Sequence, residues 1–188
     1  MKNKSALVVA LILTLALAFA ARAADPNTTP VDLTAVKPTA DAKDHKAADG
    51  SWAAKYPATW EAKKSQTGAD MFLAPLAAGA AFRQNVIIKP LAVPEGVTLD
   101  AFVKEALADI QKQIQGATVE TSAPLTTAGH AGHLFIYSGP FQALKLKWAQ
   151  AFILQGKSAY LMTFTCEQAA FDTHWPAAQQ IMATFKGQ

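Results

Sequence analysis

The sequence predicts an α+β domain, an α/β/α sandwich in which a central, mainly antiparallel sheet is covered by helices on both faces. Three observations lead to this fold class. Short apolar strand patterns, separated by turn residues, outnumber helical patterns. Two segments, one beginning near Leu99 and one near Trp175, carry apolar residues at helical spacing. A hairpin within residues 143–166 is apolar on both faces and therefore needs a cover on each side.

The first 23 residues have the pattern of a secretory signal peptide. Lys2 and Lys4 precede an apolar run over residues 6–21, and Ala21-Arg22-Ala23 offers the small residues that signal peptidase reads. The apolar run is shorter than the roughly 20 residues that a membrane span needs. We therefore expect export to a bacterial periplasm or beyond, with cleavage after Ala23. An uncleaved N-terminal anchor is the alternative.

Cleavage would change the charge balance of the chain. The full sequence has 17 Lys and Arg against 14 Asp and Glu. Loss of Lys2, Lys4 and Arg22 with the signal peptide would leave a formally neutral mature chain. Binding to a nucleic-acid backbone requires a concentrated positive face, and no run of basic residues remains to form one. The charge pattern therefore excludes nucleic acid as a partner.

Residues 24–50 are rich in Pro, Thr, Ala, Asp and Lys, and Val31, Leu33 and Val36 are almost the only large apolar residues among them. Such a segment buries too little surface to offset the entropy of ordering its backbone. We expect it to be a flexible tether, with His45 inside it, and the folded domain to span residues 51–187.

The first part of the domain consists of short strands joined by turns and loops. Strand patterns cover residues 51–56, 60–64, 71–74 and 84–89, and a loop of small residues at 76–81 precedes the last of them.

The first helix follows. Its apolar stripe begins at Leu99 and ends at Ile114, Thr98 can cap its start, and Gly116 suits a left-handed stop.

The central hairpin turns at Gly156-Lys157. This turn pairs Gln155 with Ser158, so that the numbers of paired residues sum to 313. One face then carries Leu144, Leu146, Trp148, Phe152, Leu154, Ala159 and Leu161. The other face carries Ala149, Ala151, Ile153, Tyr160, Met162 and Phe164.

A strand over residues 133–138 and a C-terminal helix complete the domain. Apolar residues recur at helical spacing from Phe171 to Phe185. Because Pro176 is tolerated only near a first turn, the main helix is expected to begin near Trp175, with a separate turn at 167–172.

These motifs resemble those of DcrB-like domains. The resemblance rests on Tyr56-Pro57-x-x-Trp60, Phe82-Arg83-Gln84-Asn85-Val86, Gly156-Lys157-Ser158-Ala159-Tyr160 and Ile181-Met182-Ala183-Thr184-Phe185. It covers roughly residues 51–186. The superfamily also includes PsbP and the Mog proteins, and the resemblance implies an α/β/α sandwich. It further implies an accessory, scaffold or binding role without a shared active site.

No motif indicates catalysis, a cofactor or a metal. His130-x-x-His133 offers two imidazoles, but zinc sites usually have three or four ligands, and residues three apart on a strand point to opposite faces. We expect both histidines in a surface turn. Gly156-Lys157-Ser158 ends like a phosphate loop, yet Ala151 stands where that motif needs a glycine. Cys166, the single cysteine, is expected to be a buried core residue.

The sequence leaves two classes of function. The first is an exported, non-catalytic accessory or binding protein of the cell envelope, which contacts another envelope protein and has no membrane anchor after cleavage. The second is a periplasmic protein that binds a small ligand or a metal in a cleft beside the sheet. An exposed apolar surface would favour the first class. A closed pocket with converging polar groups would favour the second.

Overall fold

The computed structural model describes residues 29–94, 96–155 and 158–187. The expected signal peptide and its cleavage site lie outside the described residues. The strands are β1 (Val31–Asp32), β2 (Lys43–Lys46), β3 (Trp52–Tyr56), β4 (Glu61–Lys64), β5 (Asp70–Leu73), β6 (Asn85–Ala92), β7 (Thr118–Thr127), β8 (His130–Phe141), β9 (Leu144–Gln155), β10 (Ser158–Glu167) and β11 (Lys186–Gly187). The helices are α1 (Leu99–Gln113) and α2 (Phe171–Ala183), and a 3-10 turn, Gln168–Ala170, precedes α2.

The strands form two sheets. The larger has eight strands in the order β1-β7-β8-β9-β10-β6-β5-β4. It is antiparallel except where β1 pairs with β7 in parallel. The smaller sheet has the order β11-β3-β2. The α+β class with a mainly antiparallel sheet is therefore confirmed. Within the described ranges, no helix is both long enough and apolar enough to cross a membrane.

The β9–β10 hairpin has the register predicted from the sequence, with Gln155 opposite Ser158 and Phe152 opposite Leu161. Both of its faces are buried, and their side chains belong to two hydrophobic clusters. The α1 cluster joins Leu146, Trp148, Phe152 and Leu161 to Phe102, Val103, Ala106 and Ile110 of α1. The α2 cluster joins Ala149, Ala151, Ile153, Tyr160, Met162 and Phe164 to Phe171, Ala178, Ile181 and Met182 of α2.

Helix α1 begins at the residue that the sequence predicts, whereas α2 does not. The Thr98 hydroxyl accepts a hydrogen bond from the amide of Ala101 at 3.3 Å. Helix α2 begins at Phe171, earlier than the predicted start near Trp175. The Phe171 ring is buried and lies 5.5 Å from the rings of both Phe164 and Trp175. Burial of this aromatic cluster favours the early start, and Pro176 is accommodated inside the helix.

Strand β7 has no counterpart in the sequence prediction. Its second half alternates between buried and exposed residues, with Ala123, Leu125 and Thr127 buried. The first half includes a bulge between Val119 and Thr121, which shifts the register against β8. This bulge interrupts the period of two on which strand prediction depends.

The expected tether is wrong for residues 31–50, because this segment is part of the folded domain. Strand β1 pairs with β7, and β2 pairs with β3. Leu33 is only 1% exposed and belongs to the α2 cluster. The hydrogen-bonding partners and most of the apolar surface come from later parts of the chain. The composition of residues 24–50 therefore gave no indication of this order.

Candidate functional site

A cavity of about 200 Å³ lies between two turns, one from each sheet. We call it the Asp70 cavity. The turn from β2 to β3 contributes Ala47, Ala48 and Asp49, and the turn from β4 to β5 contributes Gly68 and Ala69. The remaining lining residues are Trp52, Lys64, Asp70 and Pro90. Most of the lining is therefore small or apolar, with three charged side chains.

The turn from β2 to β3 is fixed by local hydrogen bonds. The amide of Ala47 donates to the carbonyl of Trp52 at 2.9 Å, and the amide of Gly50 donates to the carbonyl of Ala47 at 2.9 Å. Gly50 has a φ of 74°, which favours glycine. Asp49 Oδ1 accepts hydrogen bonds from the hydroxyl and the amide of Ser51, at 2.7 and 2.9 Å. These bonds lower the pKa of Asp49 and keep a carboxylate beside the cavity.

The turn from β4 to β5 positions Asp70. The amide of Ser65 donates to the carbonyl of Ala69 at 2.8 Å, and the amide of Gly68 donates to the carbonyl of Ser65 at 3.0 Å. Asp70 then begins β5 opposite Lys64 of β4. The two turns thus hold two carboxylates, Asp49 and Asp70, at one cavity.

Asp70 is a buried carboxylate with two cationic or potentially cationic neighbours. It is 6% exposed. Its Oδ1 lies 2.7 Å from Lys64 Nζ and 3.3 Å from His45 Nε2. The contact with His45 lacks the angles of a hydrogen bond. The Lys64 side chain is 54% exposed, so the charge of Asp70 is balanced mainly by a side chain that reaches in from solvent.

His45 was expected in a flexible tether, but its ring packs against aromatic rings of both sheets. Its ring centroid lies 5.3 Å from that of Trp52 and 5.1 Å from that of Phe72. The imidazole therefore connects β2 to β3 of the small sheet and to β5 of the large one.

A second feature is an exposed loop over residues 75–81, Pro-Leu-Ala-Ala-Gly-Ala-Ala, which we call the apolar loop. Leu76 is 50% exposed, and it is the large apolar side chain that stands out as exposed among the described residues. Most of the other residues of this loop are exposed as well. The apolar loop thus presents a small nonpolar surface to solvent.

The base of the apolar loop is held on both sides. The amide of Ala74 donates to the carbonyl of Gln84 at 2.9 Å. Arg83 donates through Nε to the carbonyl of Ala74 at 2.7 Å and through Nη2 to Glu61 at 3.1 Å. Phe82 is fully buried, and its amide donates to Glu167 Oε1 at 3.0 Å. The loop therefore projects from backbone segments that these hydrogen bonds hold in place.

The surface-turn prediction for the His130-x-x-His133 pair is wrong, although the predicted strand over residues 133–138 did include His133. Both residues belong to β8, and His133 is 8% exposed. His133 Nε2 is 2.9 Å from the Ser122 hydroxyl, and burial lowers the pKa of His133 despite an opposing effect of Asp100. Within the described ranges, no group of three His, Cys, Asp or Glu side chains could hold a metal ion.

Cys166 is buried, as the sequence predicts. Burial raises the pKa of its thiol to about 12, which keeps the thiol protonated at neutral pH. Residues 156 and 157 of the phosphate-loop-like motif lie outside the described residues.

Sequence reasoning missed Asp49, Lys64 and Asp70. The sequence offers one signal for Asp70, since this charged residue directly precedes the apolar residues Met71-Phe72-Leu73. That signal does not reveal the cavity, because the turn with Asp49 was assigned to a flexible segment.

Solved structures of other proteins share the fold of this chain. CyanoP, the PsbP protein of the cyanobacterium Synechocystis, has 11% sequence identity and a TM-score of 0.60, with 80% of this chain and 95% of CyanoP covered. LpqN of Mycobacterium tuberculosis, which is involved in cell envelope biogenesis, has 12% identity and a TM-score of 0.58, with 77% and 90% covered. The Ran-binding protein Mog1p of Saccharomyces cerevisiae has 9% identity and a TM-score of 0.56, with 78% and 95% covered.

These similarities confirm the Mog/PsbP-like α+β fold that the motifs suggested. No protein-family model matches the chain, and no curated protein sequence matches it.

Proposed function

From the Mog/PsbP-like fold, we propose that the chain is a non-catalytic accessory or binding protein of the bacterial cell envelope that acts through contacts with another protein. Two proteins of the same fold support this proposal, one for the envelope setting and the other for a binding role. LpqN is involved in cell envelope biogenesis, and Mog1p is a Ran-binding protein. The signal-peptide pattern of residues 1–23 supports export to the periplasm or beyond.

We also propose that α1 and α2 cover opposite faces of the eight-stranded sheet, in an α/β/α sandwich. Ala151 and Ile153 belong to the α2 cluster, whereas Phe152 between them belongs to the α1 cluster. Successive side chains of a strand point to opposite faces, which supports this arrangement. With both faces covered, a partner has to contact loops, sheet edges or the outer sides of the helices.

The apolar loop carries the proposal of a protein contact. Leu76 costs solvation free energy while it is exposed, and a partner that buries it would recover that energy. The fixed base of the loop lowers the entropy lost on binding, because the neighbouring backbone is already ordered. We therefore place the main partner contact at Leu76 and the alanines beside it.

Site-specific photocrosslinking tests this contact in the cells from which the protein comes. A crosslinker at Ala78 should give a discrete adduct with one partner, and Leu76→Lys should abolish that adduct by placing a charge in an apolar interface. A crosslinker at Lys104, an exposed residue of α1, is the matched control and should give none. The identified partner should then bind the purified wild-type chain but not Leu76→Lys. Equal binding of both chains would contradict the proposal.

The Asp70 cavity favours a second candidate function, the binding of a small ligand in a cleft beside the sheet. The observation is a buried carboxylate that lines a cavity together with mostly small or apolar residues. This function is compatible with a protein partner, because the cavity could also receive one side chain of that partner.

A further inference from the structure

We propose that the Asp70 cavity binds a primary ammonium group at the end of a short aliphatic chain. This inference rests on the second proposed function, since it names the ligand chemistry of the same cavity. The ammonium could belong to a free alkylamine or to a lysine side chain of a partner, and both present the same group.

The charges at the cavity favour a cation over an anion. Asp49 and Asp70 line the cavity with one ammonium, that of Lys64, and the His45 imidazole lies 3.3 Å from Asp70. Asp70 is nine-tenths buried, so its carboxylate has lost most of its water and requires a cationic or hydrogen-bonding partner. An anionic ligand would meet the buried carboxylate of Asp70 and the exposed carboxylate of Asp49, which is unfavourable.

Lys64 marks the position of the ligand ammonium. Its Nζ lies 2.7 Å from Asp70 Oδ1, while its side chain is 54% exposed and comes from β4, an edge strand of the large sheet. The Asp70 end of this pair is buried and needs a cation, whereas the Lys64 side chain lies largely in solvent. The Lys64 ammonium can therefore move into water when another ammonium takes its place beside Asp70.

The size and walls of the cavity restrict the rest of the ligand. A volume of about 200 Å³ is below the range of roughly 300–1,000 Å³ that is typical of pockets for drug-sized ligands. Ala47, Ala69, Pro90 and Trp52 offer apolar contacts but few hydrogen-bond partners. The cavity thus suits one short alkyl chain with its charged end at Asp70.

The test measures amide chemical-shift changes at Gly68 and Asp49 in the purified mature protein at low ionic strength. Butylammonium should cause saturable shifts, whereas butyrate and butanol should cause none. Nα-acetyl-lysine N-methylamide presents the same ammonium from a peptide unit. Binding of butylammonium alone would indicate a free amine, and binding of both would indicate that a partner's lysine also fits.

Two variants and a matched control sharpen the test. Asp70→Asn should weaken binding about tenfold or more, because the charge-assisted hydrogen bond is lost. Lys64→Gln should tighten binding about two- to fivefold, because it removes a competing ammonium whose side chain is largely exposed. Lys63→Gln removes a neighbouring β4 lysine that pairs with Glu61 and should leave affinity unchanged.

The outcomes separate this inference from the function on which it rests. Saturable binding of butyrate would overturn the inference by showing that Lys64 attracts an anion. Loss of butylammonium binding in Lys64→Gln would overturn it by showing that Lys64 does not compete with the ligand for Asp70. Saturable binding of butanol alone would leave a ligand cavity without ammonium selectivity. No shift with any probe would contradict both the inference and the ligand-binding function. The crosslinking result at the apolar loop is independent of all these outcomes.

Discussion

The β9–β10 hairpin and residues 31–50 are both ordered, but they differ in where the apolar surface that orders them comes from. The hairpin carries its own apolar residues on both faces, and almost all of its central residues are buried. Residues 31–50 bury little beyond Leu33 and Ala47. They are ordered by surfaces and backbone groups of β3, β7 and α2. Composition therefore predicts the first kind of order but misses the second.

The largest effect is expected in the hairpin. Phe152→Ala and Phe164→Ala should each lower the free energy of unfolding by about 3–5 kcal/mol, because each truncates a fully buried ring. The two rings belong to the α1 and α2 clusters, respectively. Urea unfolding of the mature protein measures both changes. Lys145→Ala, at an exposed position of β9, is the control and should stay within about 0.5 kcal/mol. A small cost for one ring only would mean that its face is open.

The order of residues 31–50 should depend strongly on the buried side chain of Leu33. Leu33→Ala should cost about 2 kcal/mol, near the low end for a buried leucine, because the anchor lies at the periphery of the α2 cluster. Hydrogen exchange should show lost protection in β1 and β2 while β9 and β10 stay protected. Lys37→Ala, an exposed neighbour, should change neither property. Unchanged protection in Leu33→Ala would show that the segment does not depend on this anchor.

His133 tests an intermediate case, a polar residue buried on the strand beside the hairpin. Its pKa is lowered from 6.5 by burial, so the unfolded chain binds its proton more readily than the folded one. The stability that depends on neutral His133 is present above pH 6.5 and is lost as the pH falls through the lower pKa of the folded state. Unfolding free energies between pH 8 and pH 5 should therefore fall less in His133→Gln than in the wild type.

At pH 8, His133→Gln should also cost about 1 kcal/mol if the contact with Ser122 is lost. His130→Ala provides the comparison and should stay within about 0.5 kcal/mol. An identical pH dependence in wild type and His133→Gln would contradict the assigned burial effect.

The smallest effect is expected at a surface ion pair between residues 31–50 and β3. Lys55 Nζ lies 2.6 Å from Asp44 Oδ1, but Asp44 is 83% exposed. Asp44→Asn should change the free energy of unfolding by less than about 0.5 kcal/mol, as is usual for exposed pairs. Thermal or urea unfolding at two salt concentrations checks this value. A loss as large as that of Leu33→Ala would mean that charge, rather than apolar burial, fixes the segment.

Much of the fold could be predicted because its elements carry local signals. The hairpin register followed from the Gly156-Lys157 turn, and α1 followed from its stripe and its Thr98 cap. Strand β7 was missed because its bulge breaks the alternation near Glu120. The start of α2 was misplaced because the packing of Phe171 against Phe164 depends on tertiary contacts.

The candidate site was much less accessible to sequence reasoning. The Asp70 cavity forms where two turns from different sheets meet, and Asp49 and Asp70 are related only through that packing. The small-residue loop was visible in the sequence, but its exposure and its anchoring by Arg83 were not. A site without a motif becomes apparent only when the tertiary structure brings its residues together.

The small sheet also constrains the order of events during synthesis. Its central strand, β3, pairs with β2 nearby in sequence, but Lys186 and Gly187 of β11 pair with Ala53 and Trp52 from the opposite end of the described chain. Closing so long a loop is entropically costly and slows folding. While the ribosome is still making α2, β3 has only one of its two neighbours. The packing site of the Trp52 ring is therefore complete only after Phe185 has been synthesised. The centroids of these two rings lie 6.0 Å apart in the folded domain.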